Sequence, residues 1–439
     1  MTHKMSRREF LKLAGVTAGV VTLAACGTKA TVKPTEKPTV GAPPAAAVTL
    51  EFWTFNDYAV GVALDLFNTY IKEFQDANPG IKVNLTGKPG TDILTGLVTG
   101  AGSGQLPDSV QIQLGSGGDL IQVGALADLA PYYKGLSDDY KAQFNQPTLA
   151  LCIQGDKVWG FPFSAYATIL YRNLKLLKKA GIDPTAGVKD WADYKSQLEK
   201  VKAAGAMGQG KVLASDWIQK HFYGGVPGAK KDTIAADGKS TTLEADKYAI
   251  LFQYLLDLKP YTAGSFMYDQ PSTDLFISDG LAFITMGPWL APTFEDAKTK
   301  SGLEYDAVLI PGQTTNDKGS VKGGEFTGVM PTKNVEQAFK WATYVSDWPQ
   351  ETRWTAKIGR IMANDKALAQ PDAKANWLAQ VTYEAYKYAM SEGAFMKKIA
   401  TGWSQPEIDY GTQVDTGVLT PVDAAKKMID DENKILSGG

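Results

Sequence analysis

The alternation of strand-like and helix-like segments between residues 48 and 114 is the feature that most constrains the fold of this 439-residue chain. Residues 48–55 are rich in β-branched and aromatic side chains and predict a strand, whereas apolar residues from Leu64 to Asp76 recur at the helical period. A second strand, a helix and a third strand follow at 81–85, 91–101 and 109–114. Because this order needs crossover connections, it predicts a parallel sheet with helices packed on its faces.

The rest of the chain is less regular. The pattern predicts strands at 158–171, 281–286, 305–310 and 326–330, and helices at 173–181, 190–204, 244–258 and 272–279. After residue 330 it is mostly helical. The length suggests two to three domains, and a composition that is 44% hydrophobic can bury a substantial core.

The N-terminus carries an export pattern. SRREFLK (6–12) fits the twin-arginine pattern at every specified position, and an apolar run from Leu13 to Leu23 follows it. Because a membrane-spanning helix needs about 20 apolar residues, this shorter run predicts a signal peptide over residues 1–25. LAACG (23–27) resembles a bacterial lipobox, in which the thiol of Cys26 takes a lipid. An ordinary signal peptide with a chance cysteine is the alternative.

Residues 26–47 predict a tether that begins at the lipidated Cys26. The segment is rich in Thr, Lys, Pro and Ala, and it cannot bury enough apolar surface to fold. We therefore expect a protein that is anchored to the cell membrane by lipid and faces the extracytoplasmic side. Removal of residues 1–25 leaves 41 basic and 46 acidic residues, and this net charge of −5 disfavours nucleic-acid binding.

Five stretches resemble the family 1 extracellular solute-binding proteins of sugar ABC importers. In chain order they are FQDANPGIKV (74–83); GSGQLPD (102–108) with GALADL (124–129); WGFP (159–162) with LYRN (170–173) and KAGI (179–182); FISDG (276–280) with MGPW (286–289); and TPVDAA (420–425). Each stretch alone is a weak signal, but all five occur in order behind the lipobox. Arg172 departs from the family pattern, which usually has Tyr there.

The resemblance implies a periplasmic-binding-protein-like α/β fold with two lobes, a hinge and a ligand cleft between the lobes. One lobe would comprise residues 48–163 and 318–350, and the other 164–317 and 351–439. Such lobes close on a ligand by hinge bending. The implied function is capture of a mono- or oligosaccharide by a monomer without cofactor or metal, and its delivery to the permease subunits of an ABC importer.

A sugar presents apolar C–H faces edged with hydroxyl groups, so its site needs aromatic platforms and a polar rim. Trp53 ends the first predicted strand, where a strand end should face the cleft, and Asn56 and Asp57 follow it. Similarity to the maltose-binding proteins adds three aromatic candidates for ligand contact: Tyr166, Trp289 and Trp403. For each tryptophan, packing in the core is the alternative.

Two glycine-containing segments are open to more than one interpretation. Gly115-Ser116-Gly117-Gly118 stands where maltose-binding proteins carry a charged pair after the third strand. Ser116 and the nearby backbone amides could contact a ligand, even a phosphate, and a plain flexible loop is the alternative. Gly323-Gly324-Glu325 resembles a family segment near the hinge and predicts a structural turn.

Catalytic chemistry has little support in the sequence. His221 is the only histidine after residue 25, and the chain has no zinc-type Cys/His spacing, phosphate-binding loop or calcium loop. We therefore expect neither an enzyme nor a cofactor. A secreted glycoside hydrolase needs only two carboxylates, and composition leaves that alternative open. The other alternative is a binding protein for a non-sugar solute such as a glycerol phosphodiester.

Overall fold

The computed structural model describes residues 47–267, 270–361, 363–391 and 402–438. The predicted signal peptide, Cys26 and nearly all of the tether lie outside the described residues. Within the described ranges, no helix is long and apolar enough to cross a membrane.

The strands are β1 (Val48–Phe55), β2 (Ile81–Lys88), β3 (Ser109–Gln113), β4 (Ile153–Gln154), β5 (Lys157–Val158), β6 (Phe161–Ala167), β7 (Ile169–Asn173), β8 (Gln209–Lys211), β9 (Thr262–Phe266), β10 (Phe283–Met286), β11 (Tyr305–Val308), β12 (Ile310–Pro311), β13 (Lys318–Gly319), β14 (Val321–Val329) and β15 (Met390–Ser391). The α-helices are α1 (Gly61–Ala77), α2 (Gly90–Ser103), α3 (Gly117–Gln122), α4 (Ala130–Tyr133), α5 (Asp138–Ala142), α6 (Gln146–Leu151), α7 (Leu174–Lys179), α8 (Trp191–Ala203), α9 (Asp216–Tyr223), α10 (Ala245–Leu258), α11 (Gln270–Ile277), α12 (Ala291–Lys300), α13 (Val335–Val345), α14 (Trp348–Ile358), α15 (Asp365–Leu368), α16 (Pro371–Ala375), α17 (Trp377–Tyr386), α18 (Gln405–Asp415) and α19 (Pro421–Ser437).

The first sheet is built on the alternating segment at the start of the folded chain. Strand β1 pairs in parallel with both β2 and β3, which confirms the predicted parallel arrangement. The strand order is β15-β14-β3-β1-β2, and β6 also pairs with β14. Strand β14 runs antiparallel to β3 and β6 and thereby joins a late segment of the chain to the early strands.

The second sheet is antiparallel. Strand β7 lies between β10 and β11 and runs antiparallel to both. The predicted strand at 158–171 was wrong in its continuity, because the chain forms β5, β6 and β7 there. Strands β6 and β7 belong to different sheets, so the chain passes from one sheet to the other at Thr168.

Apolar side chains form two large cores that match the two sheets. The first core draws on residues 50–163 and 326–358, and the second on residues 167–310 and 378–428. The fold is therefore α/β and two-lobed. Helix α14 buries Trp354 and Ile358 in the first core, so a division by packing would place a lobe boundary after 358 rather than at 350. The remaining lobe boundaries stay a proposal.

The buried hydroxyl groups of Thr168 and Ser320 join the chain segment between β6 and β7 to the start of β14. The Thr168 amide donates to the Val321 carbonyl at 2.9 Å, and the Val321 amide donates to the Thr168 hydroxyl at 2.9 Å. The Ser320 hydroxyl donates to the Thr168 carbonyl at 2.8 Å, and neither polar side chain has exposed surface. These bonds satisfy polar groups that would otherwise be costly to bury.

Arg172, the departure from the family pattern, has a structural role in the second sheet. Its guanidinium donates to both carboxylate oxygens of Asp306 on the neighbouring strand β11, at 2.8 and 2.5 Å. It also donates to the carbonyls of Ala186 and Pro184. A bidentate pair of this kind holds the strand and the loop together.

Candidate functional site

A cavity of about 530 Å³ lies between the two cores, and we call it the interlobe cavity. From the first-core side it is lined by Phe55, Asp57, Tyr58, Gln113, Gly115 and Ser116. Tyr166, Trp217, Trp289, Glu325 and Arg360 line it as well. Its volume is within the range of small-molecule sites, and the residues come from separate stretches of the chain that the fold brings together.

Three aromatic rings form one wall of the interlobe cavity. The Trp289 ring packs edge-to-face against Tyr166, with ring centroids 5.0 Å apart. Trp217 lies nearly parallel to Trp289, with centroids 5.9 Å apart and planes inclined by 28°. Trp217 and Trp289 are both half-buried, so part of each ring faces the cavity. Such a surface suits the apolar face of a ligand.

Local sequence explains the position of both tryptophans. Strand β10 ends at Met286, and Pro288 begins a short 3-10 turn that carries Trp289. A Cβ atom at Gly287 would collide with the Trp289 ring, so glycine allows the ring to fold back over the backbone. The Ser215 hydroxyl accepts a bond from the Ile218 amide and caps helix α9, whose first turn carries Trp217.

A buried ion pair forms the floor of the interlobe cavity. Nη2 of Arg360 donates to Oε1 of Glu325 at 2.5 Å, and the two side chains are only 4% and 5% exposed. Oε2 of Glu325 accepts three further bonds, from Tyr58 at 2.5 Å, Gln111 at 2.9 Å and Ser164 at 3.0 Å. All four side chains donate hydrogen bonds to the Glu325 carboxylate, so the geometry favours its ionised form.

Burial and charge act in opposite directions on this pair. Burial raises the pKa of Glu325 to about 8, and its hydrogen bonds with Gln111 and Ser164 oppose that rise. Burial also lowers the pKa of Arg360 to about 9, against the charge of Asp57. Because the two groups are in direct contact, we regard the pair as ionised at neutral pH.

Arg360 is held in place from several sides. Gly359 adopts the left-handed conformation, with φ of 77°, and ends helix α14, so the chain turns sharply before Arg360. The guanidinium lies 4.4 Å from the Tyr58 ring centroid and 6.0 Å from that of Trp289. Its Nε is buried and has no hydrogen-bond partner among the described residues.

Asp57 and Ser116 supply the polar rim. Asp57 follows β1 in a 3-10 turn and is exposed at the cavity, although surrounding protein raises the pKa of its carboxyl while Arg360 opposes the rise. The segment 114–116 forms a 3-10 turn that leads into helix α3, so the interpretation of a flexible glycine loop was wrong. Gly115 and Ser116 still line the cavity.

The structure brings together four of the predicted ligand-binding residues: Asp57, Ser116, Tyr166 and Trp289. Trp53 is not among the lining residues, because its ring packs beside helix α2 near Gly96 and under the ammonium group of Lys88 at 4.2 Å. Asn56 is exposed and does not line the cavity either. Trp403 is half-buried outside the lining, with Lys220 at 5.0 Å from its ring centroid.

The predicted turn at Gly323-Gly324-Glu325 was wrong, since these residues lie within strand β14. A Cβ at Gly324 would meet Leu114 and the Ser164 carbonyl at 2.8 Å, so glycine permits the close approach of the strands. The sequence pattern did not indicate that Glu325, Trp217 and Arg360 line the same cavity. The scarcity of arginine was the one available signal, since only Arg172, Arg353 and Arg360 follow the predicted signal peptide.

Among the described residues, no group of three or more His, Cys, Asp or Glu side chains is placed to hold a metal ion. His221 is buried, and its Nδ1 lies 3.0 Å from the hydroxyl of Thr285. Burial lowers the pKa of His221 to about 3, so it is neutral.

Sequence comparisons relate the chain to binding proteins. It is 26% identical over 406 residues to the maltooligosaccharide ABC transporter solute-binding lipoprotein of Streptococcus pneumoniae, with 86% of this chain and 87% of that protein covered. It is 25% identical over 366 residues to the sn-glycerol-3-phosphate-binding periplasmic protein UgpB of Salmonella typhimurium, covering 80% of this chain and 78% of that protein.

Solved structures share the fold. The GacH receptor of Streptomyces glaucescens superposes with a TM-score of 0.76 at 19% identity, over 89% of this chain and 98% of that one. The family described as bacterial extracellular solute-binding protein matches residues 69–381. That match spans most of the folded chain, from helix α1 to helix α17. The chain therefore belongs to the bacterial extracellular solute-binding proteins.

Proposed function

We propose that this protein captures a carbohydrate in the interlobe cavity and delivers it to the permease subunits of an ABC importer. The observation that carries the proposal is the wall of Tyr166, Trp217 and Trp289 beside polar groups of Asp57 and Arg360, in one cavity between two lobes. Aromatic rings suit the C–H faces of a sugar, and the polar groups suit its hydroxyls. The solute-binding lipoprotein for maltooligosaccharides named above supports the same class of ligand.

The charges of the cavity favour a sugar over a phosphodiester. The guanidinium of Arg360 forms an ion pair with Glu325, and Asp57 adds a second negative charge to the lining. An anionic ligand would meet this carboxylate without a free cation to offset it. The glycerol-phosphate-binding relative keeps that class of ligand in the test panel.

The hydrogen bonds of Glu325 also oppose a glycosidase mechanism. A glycoside hydrolase needs one carboxyl group that exchanges a proton and a second that acts as base or nucleophile. Glu325 is held by Arg360, Tyr58, Gln111 and Ser164, which leaves it poorly placed to exchange a proton with a substrate. We propose that the ligand leaves the protein unaltered, and mass spectrometry of the recovered ligand would detect any turnover.

The first test is truncation of Trp289 in the folded domain. A thermal-shift panel of neutral sugars, polyols and glycerol phosphodiesters identifies a ligand, because a compound that binds the native state raises the melting temperature. We expect Trp289→Ala to weaken that ligand by roughly 30-fold or more, since aromatic truncation at a binding hot spot often costs about 2 kcal/mol. Titration calorimetry measures the change.

Trp377→Ala is the matched control, because Trp377 is 44% exposed and does not line the interlobe cavity. We expect its affinity to equal that of the wild type. Unchanged affinity in folded Trp289→Ala protein would contradict the proposed site. A large fall in stability with normal binding would assign Trp289 to the core instead.

We further propose that Cys26 carries the lipid anchor and that residues 6–12 direct export through the twin-arginine route. Cys26→Ser should move the protein from the membrane fraction to the soluble extracytoplasmic fraction, since the acyl chains supply the membrane affinity. Replacement of both Arg7 and Arg8 by Lys should retain precursor inside the cell. Immunoblots of cell fractions measure both effects, and membrane association of the Ser variant would contradict the anchor.

A further inference from the structure

The interlobe cavity is lined by more negatively charged side chains than positively charged ones. Its lining contains two carboxylates, Asp57 and Glu325, and one cation, Arg360. Arg360 is paired with Glu325, with Nη2 and Oε1 2.5 Å apart. Asp57 makes no hydrogen bond or ion pair with any residue that the structure describes, so one exposed negative charge remains.

The neighbouring groups do not supply the missing positive charge. His221 packs edge-to-face against the Trp217 ring, with centroids 4.5 Å apart, but its imidazole is neutral. Helix α2 begins at Gly90 in the cavity wall and brings only the partial positive charge of a helix end. Asp92 in the first turn of that helix offsets part of it. Lys88 lies over Trp53, outside the lining.

The aromatic groups of the cavity add a second attraction for a cation. The negative face of an aromatic ring attracts a positive charge within about 6 Å, most strongly where water is excluded. Arg360 already uses the rings of Tyr58 and Trp289 in this way. Phe55, Tyr166 and Trp217 also line the cavity, so further ring surface borders the same space as the Asp57 carboxylate.

We infer that the ligand is a carbohydrate that carries a protonated amine, such as an amino sugar, with the ammonium group paired to Asp57. The C–H faces of the same ligand would lie on the wall formed by Tyr166, Trp217 and Trp289. This inference rests on the proposed function, because it specifies the class of carbohydrate for the same cavity.

The test compares neutral, cationic and anionic sugars that share the same ring. Glucose, galactose and mannose are each measured with the corresponding 2-amino-2-deoxy sugar and uronate by calorimetry at about pH 6.5. This pH is more than about two units above the ordinary pKa of an aspartate, which allows for the raised pKa of Asp57. Disaccharides built from the same neutral sugars, amino sugars and uronates form a second set of ligands. We expect the amino sugar to bind about tenfold or more tightly than its neutral counterpart, because a hydrogen bond to a charged partner is stronger than a neutral one. The uronate should bind most weakly.

Asp57→Asn assigns the preference to its residue. The amide keeps the shape of the side chain and removes its charge, so the ratio between amino and neutral sugar should fall to about one. Asp65→Asn, an exposed position on helix α1, is the matched control and should keep the wild-type ratio.

The outcomes separate the two proposals. A neutral sugar that binds as tightly as its amino counterpart, or a uronate that binds best, would overturn this inference and leave the proposed function standing. Retention of the amino preference in Asp57→Asn would overturn the pairing. No binding by any carbohydrate in either set would overturn the proposed function together with this inference.

Discussion

Arg360→Met should lower the free energy of unfolding by about 3–5 kcal/mol at neutral pH, because it leaves the buried carboxylate of Glu325 without its cation. Both side chains are at most 5% exposed, so solvent cannot replace the lost partner. Ligand affinity should fall in the same variant, since Arg360 lines the interlobe cavity. Urea denaturation followed by tryptophan fluorescence measures the stability.

The double variant Arg360→Met with Glu325→Gln separates charge from packing. It removes both charges together, so most of the lost stability should return, as expected for coupled partners. Binding should remain weak, because the guanidinium donor is still absent. A double variant no more stable than Arg360→Met would show that the ion pair is not the source of the loss.

The second large effect concerns Lys220 and two buried carboxyl groups of the second lobe. Lys220 Nζ lies 2.6 Å from Glu407, and Glu407 has no exposed surface. Glu432 on helix α19 is also fully buried. Lys220→Met should lower the free energy of unfolding by about 3–5 kcal/mol at pH 8, because it removes the cation that offsets these carboxyl groups.

The sign of the pH dependence follows from the two carboxyl groups. Burial raises the pKa of Glu407 to about 7, against Lys220, and burial together with the charge of Glu407 raises the pKa of Glu432 to about 9. The folded protein therefore holds protons that the unfolded chain releases, and stability is lost as the pH rises from about 5 to 9. The cost of Lys220→Met should shrink at pH 5.

Glu432→Gln is the control with the opposite expectation. It removes the carboxyl group that is most costly to ionise, so it should raise stability at pH 8 and change it little at pH 5. Urea denaturation of the three proteins at both pH values measures these effects. Equal costs of Lys220→Met at pH 5 and pH 8 would contradict this account.

Much of the first sheet could be predicted from local patterns. The strand predicted at 109–114 is β3 at Ser109–Gln113, and the helix predicted at 91–101 is α2 at Gly90–Ser103. Val110 and Ile112 alternate with polar residues in β3, and Ile93 and Leu97 lie about one helical turn apart in α2; all four belong to the first core. The strand predicted at 158–171 was less accurate, because a nearly continuous apolar run does not reveal where a chain changes sheets.

The candidate site was predicted less completely. The structure places Asp57, Ser116, Tyr166 and Trp289 at one cavity, and their contact with a ligand stays a prediction. Trp53 does not reach that cavity, because its ring packs beside Gly96 of helix α2. The sequence pattern does not indicate which side chains of a strand a helix will cover.

The sequence by itself determined the order of strands and helices and the family resemblance, because periodicity and short motifs are local properties of a chain. Only the tertiary structure decided which side chains share a site. Glu325 and Arg360 are 35 residues apart, and Glu325 and Tyr58 are 267 apart, yet they meet on one cavity floor. Such contacts arise because β14 pairs with strands that lie much earlier in the chain. The packing of the two cores determines these contacts, and no local sequence preference does.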